Sequence, residues 1–107
     1  PKEIQVIAGI PITVVKYSDL HNYRTLNSIF GGTKAILLLY ERKPNIGHWV
    51  CLINHKNSIQ YFDSYGFEPD DPLEFTNIQY KKQLNMDLPY LTALMLYSPK
   101  SIDFSDR

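Results

Sequence analysis

Cysteine is nearly absent from this chain: Cys51 stands alone among 107 residues. One thiol excludes an internal disulfide, and no Cys and His cluster has zinc-ligand spacing, so neither a redox staple, a structural metal nor a cofactor is implied. Charge of one sign is missing too, because eleven Lys and Arg balance eleven Asp and Glu. A neutral chain has no global pull toward polyanions, which removes nucleic acid from the expected partners, and the Lys81-Lys82 pair reads as a solvated face. Long hydrophobic runs are lacking as well. Ala35 to Tyr40 is the longest apolar stretch, far below the roughly 20 residues of a membrane span, and no signal-peptide pattern opens the chain. No membrane partner and no secretion are expected. Repeats, linkers and low-complexity tracts are also absent, so residues 1–107 read as a single domain.

Hydrophobic residues make up 44% of the chain and eight tyrosines dominate its aromatics, enough apolar material for a packed core. Ile4 to Ile10 and Ile12 to Val15 are β-branched around Gly9 and Pro11, which predicts extended structure with a bend. Ser18-Asp19-Leu20-His21 offers a cap, and Tyr23, Leu26, Ile29 and Phe30 recur at helical spacing until Gly31-Gly32. Thr33 to Tyr40 reads as a buried strand and Glu41 to Asn45 as a polar connection. His48 to Asn54 and Ile59 to Asp63 read as a hairpin turning through His55 to Ser58, so that three consecutive antiparallel strands form the sheet. Beyond the Gly66 to Pro72 loop, part of Leu73 to Leu84 is expected to be helical. Pro89 to Tyr97 fits a helix or a buried strand, and Ser101 to Phe104 a short final strand. Gly31-Gly32-Thr33-Lys34 lacks the spacing of a phosphate loop.

Strand alternation puts His48, Val50 and Leu52 on one face and Trp49, Cys51 and Ile53 on the other. Cys51 therefore points away from His48 and reads as a core thiol. Asp63 closes the strand that pairs with the one His48 opens, so a carboxylate meets an imidazole at one end of the hairpin. Such a contact orients a general base; a surface histidine and a turn-capping aspartate is the plainer alternative. Trp49 is expected either to shield that contact from water or to anchor the sheet. His21 and His55 read as surface residues.

The run Gly47-His48-Trp49-Val50, a hydrophobic hairpin, and then Tyr61-Phe62-Asp63-Ser64-Tyr65-Gly66 resembles the adenovirus-type proteinases and the related SUMO-deconjugating cysteine proteases. It is most similar to the compact forms in large DNA viruses, virophages and related mobile elements. The resemblance implies an α+β fold of papain-like cysteine protease type, a small, mainly antiparallel sheet with flanking helices. It implies His48 as general base, Asp63 as its orienter and Trp49 as a residue that binds substrate or shields the site. In that family a Gln and then a Cys-Gly pair follow. No cysteine follows Asp63 here, and the glutamines that do, Gln79 and Gln83, lie in the wrong context with no Cys-Gly pair after them, so the nucleophile is missing and the chain as given is expected to be inactive. The expectation is that these residues are the larger, N-terminal part of a protease domain whose final segment is lacking.

By that resemblance the complete protein would be a cysteine endopeptidase. It would cleave viral structural precursors during maturation, or ubiquitin-like conjugates, and would be found in the virion or in the host cytoplasm or nucleus. Its partners would be the protein substrate and other virion proteins. The alternative is a noncatalytic virion protein that keeps the scaffold for binding.

Overall fold

The computed structural model describes residues 3–7 and 9–104, with side chains from Gly9 onward. Pro1, Lys2, Ala8 and Ser105 to Arg107, which the sequence reading includes in its domain, opening strand and chain end, lie outside the described residues.

Strands β1 (Glu3–Ile7) and β2 (Ile10–Lys16) pair antiparallel, with Ile7 opposite Ile10. Gly9 takes φ 80 between them, a conformation that costs glycine little. A 3-10 helix, Tyr17–Asn22, and helix α1, Leu26–Phe30, follow. The single helical run expected there is split because Tyr23 is extended at φ −116. Thr25 restarts the helix as its N-cap, its hydroxyl accepting from the Ser28 N–H, a role suited to a β-branched hydroxyl residue. Gly31 (φ 55) ends α1.

β3 (Ala35–Lys43), β4 (Ile46–Asn54) and β5 (Ser58–Phe62) form the expected antiparallel meander. The six strands lie in the order β1-β2-β3-β4-β5-β6, with β6 at Ser101–Phe104. The sheet is mixed: three of its five pairings are antiparallel, while β2 runs parallel to β3 and β5 parallel to β6. Both parallel joins occur where a long helical connection returns the chain to the same end of the sheet, which a tight hairpin does not do. The second connection holds a 3-10 helix (Asp71–Phe75), α2 (Ile78–Gln83) and α3 (Tyr90–Leu96). Helix wins over strand at α3 because Leu91, Leu94 and Met95 are all buried on one side, a spacing of three and four residues.

One sheet face carries the core. Ile36 and Leu38, Val50 and Leu52, and Ile59 and Tyr61 pack there against Leu20, Ile29, Phe30 and Leu91 from the helices. Each such side chain contributes about 1.5–3 kcal/mol when withdrawn from water.

Asp70 ties the long connection to that core. It sits at φ 71, and its carboxylate accepts from the Tyr17 hydroxyl and from both the hydroxyl and the backbone N–H of Thr92 in α3. Its own N–H donates to the Tyr40 hydroxyl (3.1 Å). The Tyr17 hydroxyl in turn accepts from the Tyr90 N–H (2.8 Å) at the start of α3. The exposed amides of a helix start are thus satisfied by side chains distant in sequence. Burial, with the Asp70 charge second, pushes the Tyr17 hydroxyl well above its ordinary range and keeps it a proton donor. Replacing Asp70 with Ala is expected to cost about 1–3 kcal/mol, since it removes the carboxylate that accepts from the buried Tyr17 hydroxyl and from the exposed hydroxyl and N–H of Thr92. Urea unfolding checks this, and Asp70→Asn is expected to lose less.

Candidate functional site

Tyr40 of β3 lies opposite His48 of β4, and Glu41 opposite Gly47. The strands approach so closely at that point that a Cβ on residue 47 would fall 1.9 Å from the Tyr40 carbonyl oxygen and 2.9 Å from the Glu41 Cα. Only glycine fits without moving backbone. Immediately beyond, the β3–β4 register shifts between Glu41 and Lys43, a bulge at the strand end of the kind that re-aims neighbouring side chains. Gly47 and the bulge thus fix where His48 points.

β5 runs back beside β4, with Leu52 opposite Tyr61 and Cys51 opposite Phe62. Asp63 follows directly on the core side and is 6% exposed. Its Oδ2 lies 2.8 Å from His48 Nε2, and its Oδ1 accepts from the Tyr65 N–H at 2.8 Å. Gly66 N–H donates to the Asp63 carbonyl and closes the turn. A carboxylate this deeply buried needs donors for both oxygens, and it has them. Because a carboxylate accepts, the Nε2 of neutral His48 carries the proton and Nδ1 is left with its lone pair.

Three rings surround the imidazole. Tyr65 stacks on it, with centroids 5.1 Å apart and planes 22° apart; Phe67 meets it edge-on at 5.8 Å, and Tyr40 lies at 6.3 Å. The cover expected of Trp49 is therefore supplied by Tyr65 and Phe67. Alternation identifies neither of these, because both lie in the loop after β5; the aromatic spacing Tyr65, Phe67 beside Asp63 is the signal that could have found them. Trp49 is 46% exposed and lies opposite Leu39. It lines a cleft of about 430 Å³ together with His48, Arg42, Ser64, Tyr65 and Phe75. Arg42 places a cation at this cleft and is another residue the sequence reading passed over.

Cys51 lies on the opposite sheet face, paired with Leu37 and Phe62. It is half-buried there rather than sealed in the core, and burial pushes its thiol pKa up, away from the reactive thiolate. His21 and His55 are exposed and stand apart from the pair; His55 Nε2 is 3.2 Å from Gln60 Oε1. Among the described residues no group of three or more His, Cys, Asp or Glu side chains is placed to hold a metal ion. The arrangement therefore offers an oriented imidazole with one basic nitrogen left beside an aromatic cleft, and Cys51, on the other sheet face, is not among the residues that line that cleft.

No family model matches the chain, and no solved structure matches it. It is similar to the Uncharacterized protein V9 of Sputnik virophage, with 37% identity over 94 residues that cover 87% of this chain and 54% of V9. The chain spans about half the length of the curated relative it matches. Among the described residues no helix is long and apolar enough to cross a membrane.

Two outcomes check this geometry. Long-range nitrogen-15 NMR is expected to show neutral His48 as the Nε2–H tautomer, and Asp63→Ala is expected to abolish that preference while costing about 1–3 kcal/mol of stability. Gly47→Ala is expected to cost about 3 kcal/mol or more by forcing β3 and β4 apart, and the imidazole should lose its contact with Asp63 in the same variant.

Proposed function

We propose that this chain is the base-and-orienter portion of a cysteine endopeptidase of papain-like type. The observation that carries the reading is the His48 Nε2 to Asp63 Oδ2 contact of 2.8 Å across adjacent strands, beside an open cleft. The sequence around the pair resembles adenovirus-type and SUMO-deconjugating proteases, and the carboxylate holds the ring with Nδ1 as the nitrogen left to act.

In the reaction so proposed, a cysteine supplied from outside these 107 residues gives its proton to His48 Nδ1. The resulting thiolate attacks a peptide or isopeptide carbonyl. Asp63 stabilises the imidazolium that forms and keeps the ring in place. The C–N bond breaks as the imidazolium returns its proton to the leaving amine, and water, deprotonated by the same nitrogen, hydrolyses the thioester. Buried against Tyr65 and Phe67, the His48–Asp63 pair interacts in a less polar medium than bulk water, which strengthens the orienting contact. The substrate class favoured here is a viral structural precursor rather than a ubiquitin-like conjugate, on the support of similarity to a virophage protein.

A second reading, a noncatalytic virion component that binds a partner on this scaffold, is favoured by a specific fact. Cys51 is the chain's only thiol, and it faces away from His48. The two readings separate when this chain is joined to the part of V9 outside the matched residues and treated with a thiol-reactive peptide aldehyde. The peptidase reading expects one cysteine other than Cys51 to be labelled. It expects labelling to fall by about 10²–10⁴ in His48→Ala, less in Asp63→Ala, and to persist in Cys51→Ser. Labelling that is indifferent to His48 sinks the peptidase and leaves the binding scaffold.

A further inference from the structure

A carboxylate withdrawn from water needs partners for both of its oxygens. Asp63 has them and Glu41 does not. Glu41 stands in β3 just before the bulge and is 3% exposed. Its Oε2 accepts from the Asn45 N–H at 2.7 Å. Lys16 Nζ lies 3.7 Å from the same oxygen, an ion pair beyond hydrogen-bond length. Among the described residues no hydrogen bond is made to Oε1. Gly47, opposite Glu41 in β4, has no side chain to set against it.

This carboxylate borders a hollow of about 700 Å³, a volume in the range of ligand sites. The charged side chains lining it are Glu41 and Asp19 against Lys16, two acids and one base. Leu39 and Leu84 supply apolar walls, and Trp49 and Tyr80 aromatic ones. The exposed Trp49 indole also lines the His48 cleft, so the two hollows share it as a wall. A buried acceptor beside aromatic faces suits a guanidinium, which is planar and weakly hydrated, stacks on rings and presents forked donors to a carboxylate. An ammonium is more strongly hydrated and offers no fork. Leu39 and Leu84 are placed to receive the alkyl stem of an arginine.

We propose that this hollow is a subsite for an arginine side chain of a bound polypeptide, with Glu41 Oε1 as the acceptor and Trp49 as the stacking face. Because Trp49 is common to both hollows, a polypeptide in the His48 cleft has a side-chain route to Glu41, which favours an arginine residue over a free small cation. That this polypeptide is the peptidase's substrate rests on the reading proposed above; the arginine site itself does not. Lys16 competes for the same carboxylate from a side chain that is 46% exposed.

Trp49 is the chain's one tryptophan, so its fluorescence reports occupancy. N-acetyl-arginine N-methylamide, titrated to about 10 mM, is expected to give a saturable change in that fluorescence. The citrulline analogue, an uncharged isostere, is expected to bind at least about tenfold more weakly. Glu41→Gln keeps an acceptor for the Asn45 N–H and is expected to weaken arginine binding at least about tenfold. Lys16→Gln, at an exposed side chain, is expected to tighten it about threefold by removing the competing ammonium, and it carries the test if Glu41→Gln fails to fold. The inference is overturned by no saturable change, by equal binding of the citrulline analogue, or by a folded Glu41→Gln that binds arginine as the parent does. Affinity that Lys16→Gln leaves unchanged or lowers overturns it too, as does tighter binding of putrescine, which makes the occupant a free amine. His48→Ala is expected to leave arginine binding within about twofold, so loss of cysteine labelling in that variant and loss of the arginine site are separate outcomes.

Discussion

Everything distinctive about this molecule depends on the register in which β4 pairs with β3 and β5. Side chains on a strand alternate with a period of two, so a slip of one residue would send His48 to the outer face and Cys51 to the core. Two features hold the register. Val50 and Leu52 are buried against Leu38, Ile36 and Tyr61 on the core face, and Gly47 is the residue whose missing Cβ lets β4 lie against the Tyr40 carbonyl. Burial selects the face, and the glycine sets the closeness of approach at the end where His48 leaves the sheet.

The site is built on that register by chain that is otherwise unrelated to it. Asp63 arrives at the end of β5, and the same turn delivers the Tyr65 amide to its second oxygen and the Tyr65 ring to the imidazole. Phe67 reaches His48 from the stretch that Asp70 anchors to Tyr17 and to α3. The wall of the cleft is therefore tied to the helical layer through one carboxylate. Rigid strands carry the acid and the base while a tethered loop shapes what surrounds them, a division common in sites held by a scaffold.

The two faces of the sheet are used differently. The inner face is closed by helices and ends in the His48 and Asp63 pair. The outer face is also apolar along β2, β3 and β4; among the described residues Ala35 and Leu39 are buried on it while Ile12, Leu37 and Ile53 are half-buried, and it carries the lone thiol at Cys51 with Lys34, His55 and Lys56 at one end. The separation of Cys51 from His48 follows directly from their odd spacing on one strand. It places the chain's single thiol where burial raises its pKa and where the imidazole does not reach it.

Local pattern in the sequence determined much of this. The three-strand meander and the opposite facing of His48 and Cys51 follow from period-two alternation and one hairpin, which act over a few residues; the meeting of His48 with Asp63 is only one of two readings the spacing allows, and the family resemblance of the surrounding residues favours it. The mixed character of the sheet, the break at Tyr23, the helical state of α3, the cover of His48 by Tyr65 and Phe67, and the anchoring of Asp70 by Tyr17 and Thr92 were decided by tertiary structure. Those features join residues separated by a loop or by half the chain, or rest on which of two similar local conformations packs better. Alternation along a strand reports which face a residue occupies, and only the folded chain supplies what lies against that face.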